Sequence, residues 1–264
     1  MTGLERIAEA FARAGADGRR AALMPYLMGG FPDPASSERI VAAYVEEGAD
    51  LIELGFPFSD PLADGPLIHA AATRALREGV RTDDVLKVGR LVSEQVPVVA
   101  MCYANPILAR GAERFLDALA SSAISGLIVP DLPAEEGGEL RDLCDAAGIA
   151  LVPLVAPTTP EDRLAVIGAQ ARGFVYAVSV TGTTGERGSL DGALSQVLGR
   201  TSAHTEVPVA VGFGIGTPEQ VRAAADAGAD GVIVGTRLVR AAGEEADPVA
   251  AVATLVRSFA QALS

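Results

Sequence analysis

Eight times along this chain a short, β-branched apolar run gives way to a segment of helical periodicity, and that alternation restricts the available folds more than any other feature. The runs are 22–29, 50–55, 97–103, 125–130, 149–155, 174–179, 207–212 and 230–235. Between them, apolar residues recur at helical spacing over 36–49, 66–80, 82–94, from a turn at 104–106 to about 121, 134–147, 159–170, 190–202 and 217–227, and on to the C-terminus. Short continuous apolar strands are those of a parallel sheet buried on both faces. A similar phrase precedes several of them: EEGAD before 51, DAAGIA through 150 and DAGAD before 231. Each is a helix ended at glycine, a tight turn, then a strand. Eight even units predict an α/β chain of the (β/α)8 TIM barrel type, with an added N-terminal helix, as one domain over 1–264. A doubly wound open sheet is the alternative.

The chain has 264 residues and is 49% hydrophobic, enough for a large core. No apolar run reaches the roughly 18 residues of a membrane helix. The first residues, MTGLERIAEAFARAG, carry charges throughout and read as an amphipathic helix rather than a signal peptide. A formal net charge of −13 argues against nucleic acid or an anionic membrane as partners. Cys102 and Cys144 have no metal or redox spacing and read as free thiols of a reducing, cytoplasmic compartment.

In such a barrel, function sits at the C-terminal ends of the strands. The most unusual of these ends is LIELGFPFSDPLADGP, residues 51–66. Glu53 interrupts an apolar strand, and Asp64 lies on the proline-rich loop that follows. A carboxylate is costly to bury unpaired, so Glu53 either meets an arginine, lines a wet pore or works as an acid. Tyr103, Asn105, Asp131, Tyr176 and the loop 180–189 fall at the same end. So do GFG at 212–214 (Gly212, Phe213, Gly214) and Gly235-Thr236. Glycines before a helix N-terminus let backbone N–H groups reach an anion. The ends of the seventh and eighth strands are the usual phosphate site of the fold. Gly212, Gly214, Gly235 and Thr236 are therefore the expected phosphate contacts, with Gly185 as a further N–H.

The residues also restrict the chemistry. The single lysine, Lys87, falls in a predicted surface helix, which removes a Schiff-base mechanism. The two histidines, His69 and His204, are far apart and supply no metal set. Acid/base work by carboxylates remains. Glu53 in an apolar wall should have a raised pKa, while Asp64 on a loop should stay ionised.

Several motifs in order, LIELGFPFSDPLADGP, MCYANPI, VPDLP, GTTG, GFGI and the Gly-Thr after the eighth strand, closely resemble the tryptophan synthase alpha subunit family along essentially the whole chain. The resemblance implies a TIM barrel that cleaves indole-3-glycerol phosphate to indole and glyceraldehyde 3-phosphate, a carbon–carbon lyase of class EC 4.2.1.20. It implies Glu53 and Asp64 as catalytic residues and Tyr176 beside the substrate. Thr184 and Gly185 would belong to a mobile sixth loop, and the glycines above, with Thr236, to the phosphate site. Tyr26, where the family often has Phe, would floor the indole pocket; Tyr103 and Phe213 are expected as further substrate contacts from their place at the strand ends. No cofactor is implied in this chain. Pyridoxal phosphate is expected only in a beta-subunit partner, joined in an alpha2-beta2 heterotetramer docked on loops that include Asn105-Pro106 and Asp60-Pro61. Three competing readings stand beside this one: a stand-alone lyase releasing free indole, a phosphosugar isomerase, and a silent subunit that only binds a partner. The isomerase usually places acids on the first and fifth strands, where this chain has none.

Overall fold

The structure, a computed structural model, describes residues 1–178, 190–212 and 214–264, with the backbone alone at 190, 191 and 193. The expected contacts Thr184, Gly185 and Phe213 lie outside the described residues. Nine parallel strands form one sheet: β1 Ala22–Met28, β2 Ile52–Gly55, β3 Val98–Met101, β4 Gly126–Ile128, β5 Ala150–Val152, β6 Leu154–Val155, β7 Val175–Val178, β8 Val209–Gly212 and β9 Gly231–Val234. Their order is β5-β4-β3-β2-β1-β9-β8-β7-β6. The two edge strands are consecutive in sequence, so the chain itself joins them and the sheet curls into a nearly closed barrel. The expected fifth strand, 149–155, is split at Pro153. Proline has no N–H to give the ladder, so β5 pairs with β4 while β6 pairs with β7.

The N-terminal helix, Gly3–Ala16, closes the lower end of the barrel. Thr2 and Glu5 form its capping box. Ile7 is fully buried and fits over Gly126 and Gly173, where an added Cβ would lie 3.2 Å from its Cδ1. Burying one such isoleucine is worth roughly 1.5–3 kcal/mol. Phe11 sits over Gly231 in the same way, with a Cβ–ring separation of 2.9 Å.

The repeated Gly-Ala-Asp phrase has a mechanical role. Asp50 Oδ2 accepts from Leu23 N at 2.8 Å and from Arg19 Nη1 at 2.7 Å. Asp230 Oδ2 accepts from Val209 N at 2.8 Å. Each aspartate thus pins the start of its own strand to the neighbouring one.

The expected helix at 134–147 begins only at Gly138, after a turn over 131–137. The helix expected over 82–94 ends at Arg90. The expected turn at 104–106 is instead the first turn of a helix, Ala104–Arg110, where Pro106 gives up no hydrogen bond. Gly111, at φ 88°, breaks it from the next helix, Ala112–Ser121.

Candidate active site

Strand register brings the acid into the barrel. Tyr26 on β1 is level with Glu53 on β2, which is level with Val99 on β3. Residues two further along a strand point the same way. Glu53 and Tyr26 open into a cavity of about 100 Å³ at the C-terminal end of the strands. Asp64 and Tyr176 complete its polar lining. Ile68, Met101, Ile215 and Ile233 supply apolar walls, and Gly65, Gly214, Gly235 and Thr236 the rim. A wider cleft of about 490 Å³ lies alongside, from β4 to β7, and shares Met101 with the cavity. It touches neither Glu53 nor Tyr176.

Glu53 is 1% exposed. Burial disfavours its charged form and the nearby Asp64 carboxylate adds to the effect, pushing its pKa to about 8. Asp64 is also raised by burial, against the expectation of an ordinary loop carboxylate. A hydrogen bond from Tyr103 and the proximity of His69 pull it back. Burial thus raises both acids, and only at Asp64 do a phenol and His69 work against it. The phenols of Tyr26 and Tyr176 are both raised by burial and by the two carboxylates, so they stay protonated and can act as donors.

The same packing device occurs twice around the barrel. A Cβ at Gly55 would lie 2.1 Å from the Tyr26 hydroxyl, and one at Gly212 would lie 2.2 Å from the Tyr176 hydroxyl. In each case the tyrosine leans along its strand over a glycine on the next strand, two residues beyond its register partner. Gly212, expected as a phosphate contact, thus has a second reason to be glycine.

After the last two strands, where the sequence predicts phosphate contacts, the two helix termini differ. The helix Pro218–Asp226 caps itself, with Gln220 Oε1 accepting from Gly216 N at 2.9 Å and Thr217 N at 3.2 Å. The helix Thr236–Glu244 has no side-chain cap. Its first N–H groups and positive dipole end, beside Gly235 and Thr236, are the better anion site. Gly214, at φ 75°, adopts a backbone form that suits glycine.

Tyr103 does not line the cavity. Its hydroxyl accepts from Ala63 N at 3.0 Å and its ring stacks on Phe58, 5.2 Å between centroids. Asp131 Oδ1 accepts from Ala104 N, the first N–H of the helix Ala104–Arg110, at 2.9 Å, and Asp131 does not line the cavity that holds Glu53. Lys87 lies on the surface paired with Glu38, and His204 pairs with Glu161 at 2.7 Å. Ile68, Met101, Ile215 and Ile233 carry no signal in the sequence that separates them from other core residues. Only the register, which places Met101 level with Gly55, marks Met101 as facing inward.

The model of the family described as "Tryptophan synthase alpha chain" matches residues 11–264. A tryptophan synthase alpha chain of Synechococcus elongatus is 49% identical over 259 residues, 97% of this chain and 96% of that one. One from Methanosarcina mazei is 45% identical over 241 residues, 91% and 88% of the two chains. A solved structure of Mycobacterium tuberculosis tryptophan synthase superposes with a TM-score of 0.89 at 38% identity, covering 98% of both chains. The alpha chain of Legionella pneumophila gives 0.88 at 33% identity, over 100% of this chain and 97% of that one. A chain matched over this length, with a paired-carboxylate cavity at the top of its barrel, belongs to the tryptophan synthase alpha chain family, the enzyme subunits that cleave indole-3-glycerol phosphate in the lyase half-reaction.

Proposed function

We propose that Glu53 is the proton carrier of this cleavage and Asp64 its electrostatic partner, within one domain over 1–264. Breaking the bond at indole C3 requires a proton on that carbon, which turns the ring into a leaving group. It also requires removal of the proton from the adjacent hydroxyl of the glycerol chain. A carboxyl with a pKa of about 8 can give the first proton and take the second near neutral pH. Asp64, ionised, accepts the indole N–H and stabilises the positive charge that develops there. The indole ring serves as the electron sink. Tyr26 and Tyr176 would pack the indole, and the open end of the helix Thr236–Glu244, with Gly214 and Gly235, would hold the phosphate. Thr184, Gly185 and Phe213 are further proposed contacts from the family pattern, with Gly212 beside them.

The family pairs with a beta chain, and we extend this to an alpha2-beta2 heterotetramer whose pyridoxal phosphate belongs to the beta subunit. Leu62 and Leu108, on the second loop and on the helix Ala104–Arg110, are 88% and 70% exposed and lie at the end expected for docking. No helix among the described residues is long and apolar enough to cross a membrane. The reducing compartment suggested by the free, buried cysteines fits a cytoplasmic enzyme.

One observation carries the reading: a fully buried glutamate opening into the cavity that Asp64 also lines. It is tested by conversion of indole-3-glycerol phosphate to indole by wild type and Glu53→Gln, with and without a beta chain. Turnover that rises with the partner and falls by roughly 100-fold or more in the variant is expected. Equal turnover in the variant would remove Glu53 from the mechanism. Fast wild-type turnover without a partner would favour a stand-alone lyase.

A further inference from the structure

Asp64 stands at the far end of a loop with few anchors. Residues 57–64 leave β2 and rejoin the barrel at the helix Pro66–Arg77. Leu62, the loop's large aliphatic side chain, is turned out to solvent. Among the described residues, every hydrogen bond from this loop to the rest of the barrel ends on one group, the Tyr103 hydroxyl. It accepts from Ala63 N at 3.0 Å and lies beside the Asp64 carboxylate, whose charged form it favours. The same ring stacks on Phe58, with an interplanar angle of 29°, near the start of the loop. Tyr103 itself is firmly held: it is 3% exposed, and the next residue, Ala104, is tied through its N–H to Asp131. One side chain on the third strand end thus clamps both ends of the second loop.

We propose that Tyr103 is a positioning residue that sets the place and the charge of Asp64, and is not itself a substrate contact. The inference rests on the role given above to Asp64. The Ala63 N–H donates to the phenol oxygen, which leaves the phenol O–H to turn toward the neighbouring Asp64 carboxylate. Such chains polarise one another, so the phenol is a stronger donor than it would be alone. Hydrogen bonding to the charged form favours ionisation, and a donor fixed by stacking keeps the carboxylate in a single rotamer. Without it, nothing else among the described residues links this loop by a hydrogen bond to the strands that carry Glu53 and Tyr176.

Two variants separate hydroxyl from ring. Tyr103→Phe removes the hydrogen bonds and keeps the stacking; Phe58→Leu does the reverse. Cleavage of indole-3-glycerol phosphate by the chain alone is followed across pH. A hydrogen bond to a charged group is worth enough that Tyr103→Phe should lower kcat roughly 10- to 100-fold. KM should change by less than about threefold, because the bond between Asp64 and the indole N–H gains most of its strength as positive charge develops in the transition state. The acid limb of kcat/KM should move to higher pH, since Asp64 is deprived of a donor that favours its charged form. Phe58→Leu should lower kcat less and leave the acid limb in place. The limb does not depend on the amount of folded enzyme, so partial misfolding of either variant does not blur the outcome. A Tyr103→Phe enzyme with unchanged kcat and acid limb would overturn the proposal, as would a raised KM with kcat intact, which would make Tyr103 a substrate contact. Failure of the wild type to cleave the substrate at all would instead overturn the reading of the site.

Discussion

Replacing Glu53 by Gln should stabilise the protein, and the gain should grow with pH. The native carboxyl titrates at about 8, against an ordinary value of 4.5. Below the lower value the side chain is protonated in both the folded and the unfolded chain, and the variant gains nothing. Between the two, the unfolded chain is ionised and must take up a proton to fold. Each pH unit in that window then costs the wild type roughly 1.4 kcal/mol. At pH 7 the sum is about 3 kcal/mol, and above pH 8 it levels off near 5 kcal/mol. Glutamine has the same shape and no charge, so it escapes this cost. For a chain of this size, about 3 kcal/mol corresponds to roughly 6–12 °C in Tm. Thermal unfolding of both proteins from about pH 5 to about pH 9 measures the gap directly. A gap that opens steadily up to about pH 8 supports the reasoning, and it would mean that the site is built at the expense of stability. A gap independent of pH, or a variant less stable at high pH, would refute it.

Three further outcomes follow from the packing and the site. Gly55→Ala places a Cβ 2.1 Å from the Tyr26 hydroxyl and should cost roughly 1–3 kcal/mol. Adding Tyr26→Phe should recover part of that loss, and a strictly additive double variant in urea unfolding would contradict the close approach of the two residues. Gly235→Val narrows the phosphate end next to Tyr26, so KM should rise at least about tenfold with a smaller change in kcat; an unchanged KM would move the phosphate elsewhere. Asp50→Ala leaves the partly buried Arg19 without its carboxylate and Leu23 N–H without its acceptor, and should destabilise by roughly 3 kcal/mol with KM unaltered. A neutral result by calorimetry would mean that the strand-start clasp is unimportant.

Much of this architecture is legible in the sequence because it is periodic. The alternation of apolar runs and helical segments gives eight units in order, and the N-terminal amphipathic pattern gives the helix that closes the barrel. Glu53 and Asp64 stand out because a charge inside an apolar run and an acid on the following loop break the pattern around them. The split at Pro153 is signalled by a proline inside an apolar run, but that it lets the sheet join its own edges is a property of the circle, not of the segment. The turn expected at 104–106 is a helix because proline in a first helical turn breaks no hydrogen bond. What sequence alone does not reveal is anything that depends on register. Gly55 and Gly212 read as turn or ligand glycines, yet each is also the seat of a tyrosine from the preceding strand. Tyr103 reads as a residue at a strand end and so as a substrate contact. Its hydroxyl instead meets a loop 40 residues earlier in the chain, which only the adjacency of β2 and β3 reveals.

The central claim is that apolar burial turns Glu53 into a proton carrier near neutral pH. Carbon-13 NMR of the protein labelled at the glutamate carboxyl, with Glu53→Gln to assign the signal, titrates that group directly. A midpoint near 8 is predicted, falling when Asp64→Asn removes the neighbouring charge. A midpoint near the ordinary 4.5, unmoved by Asp64→Asn, would contradict the account.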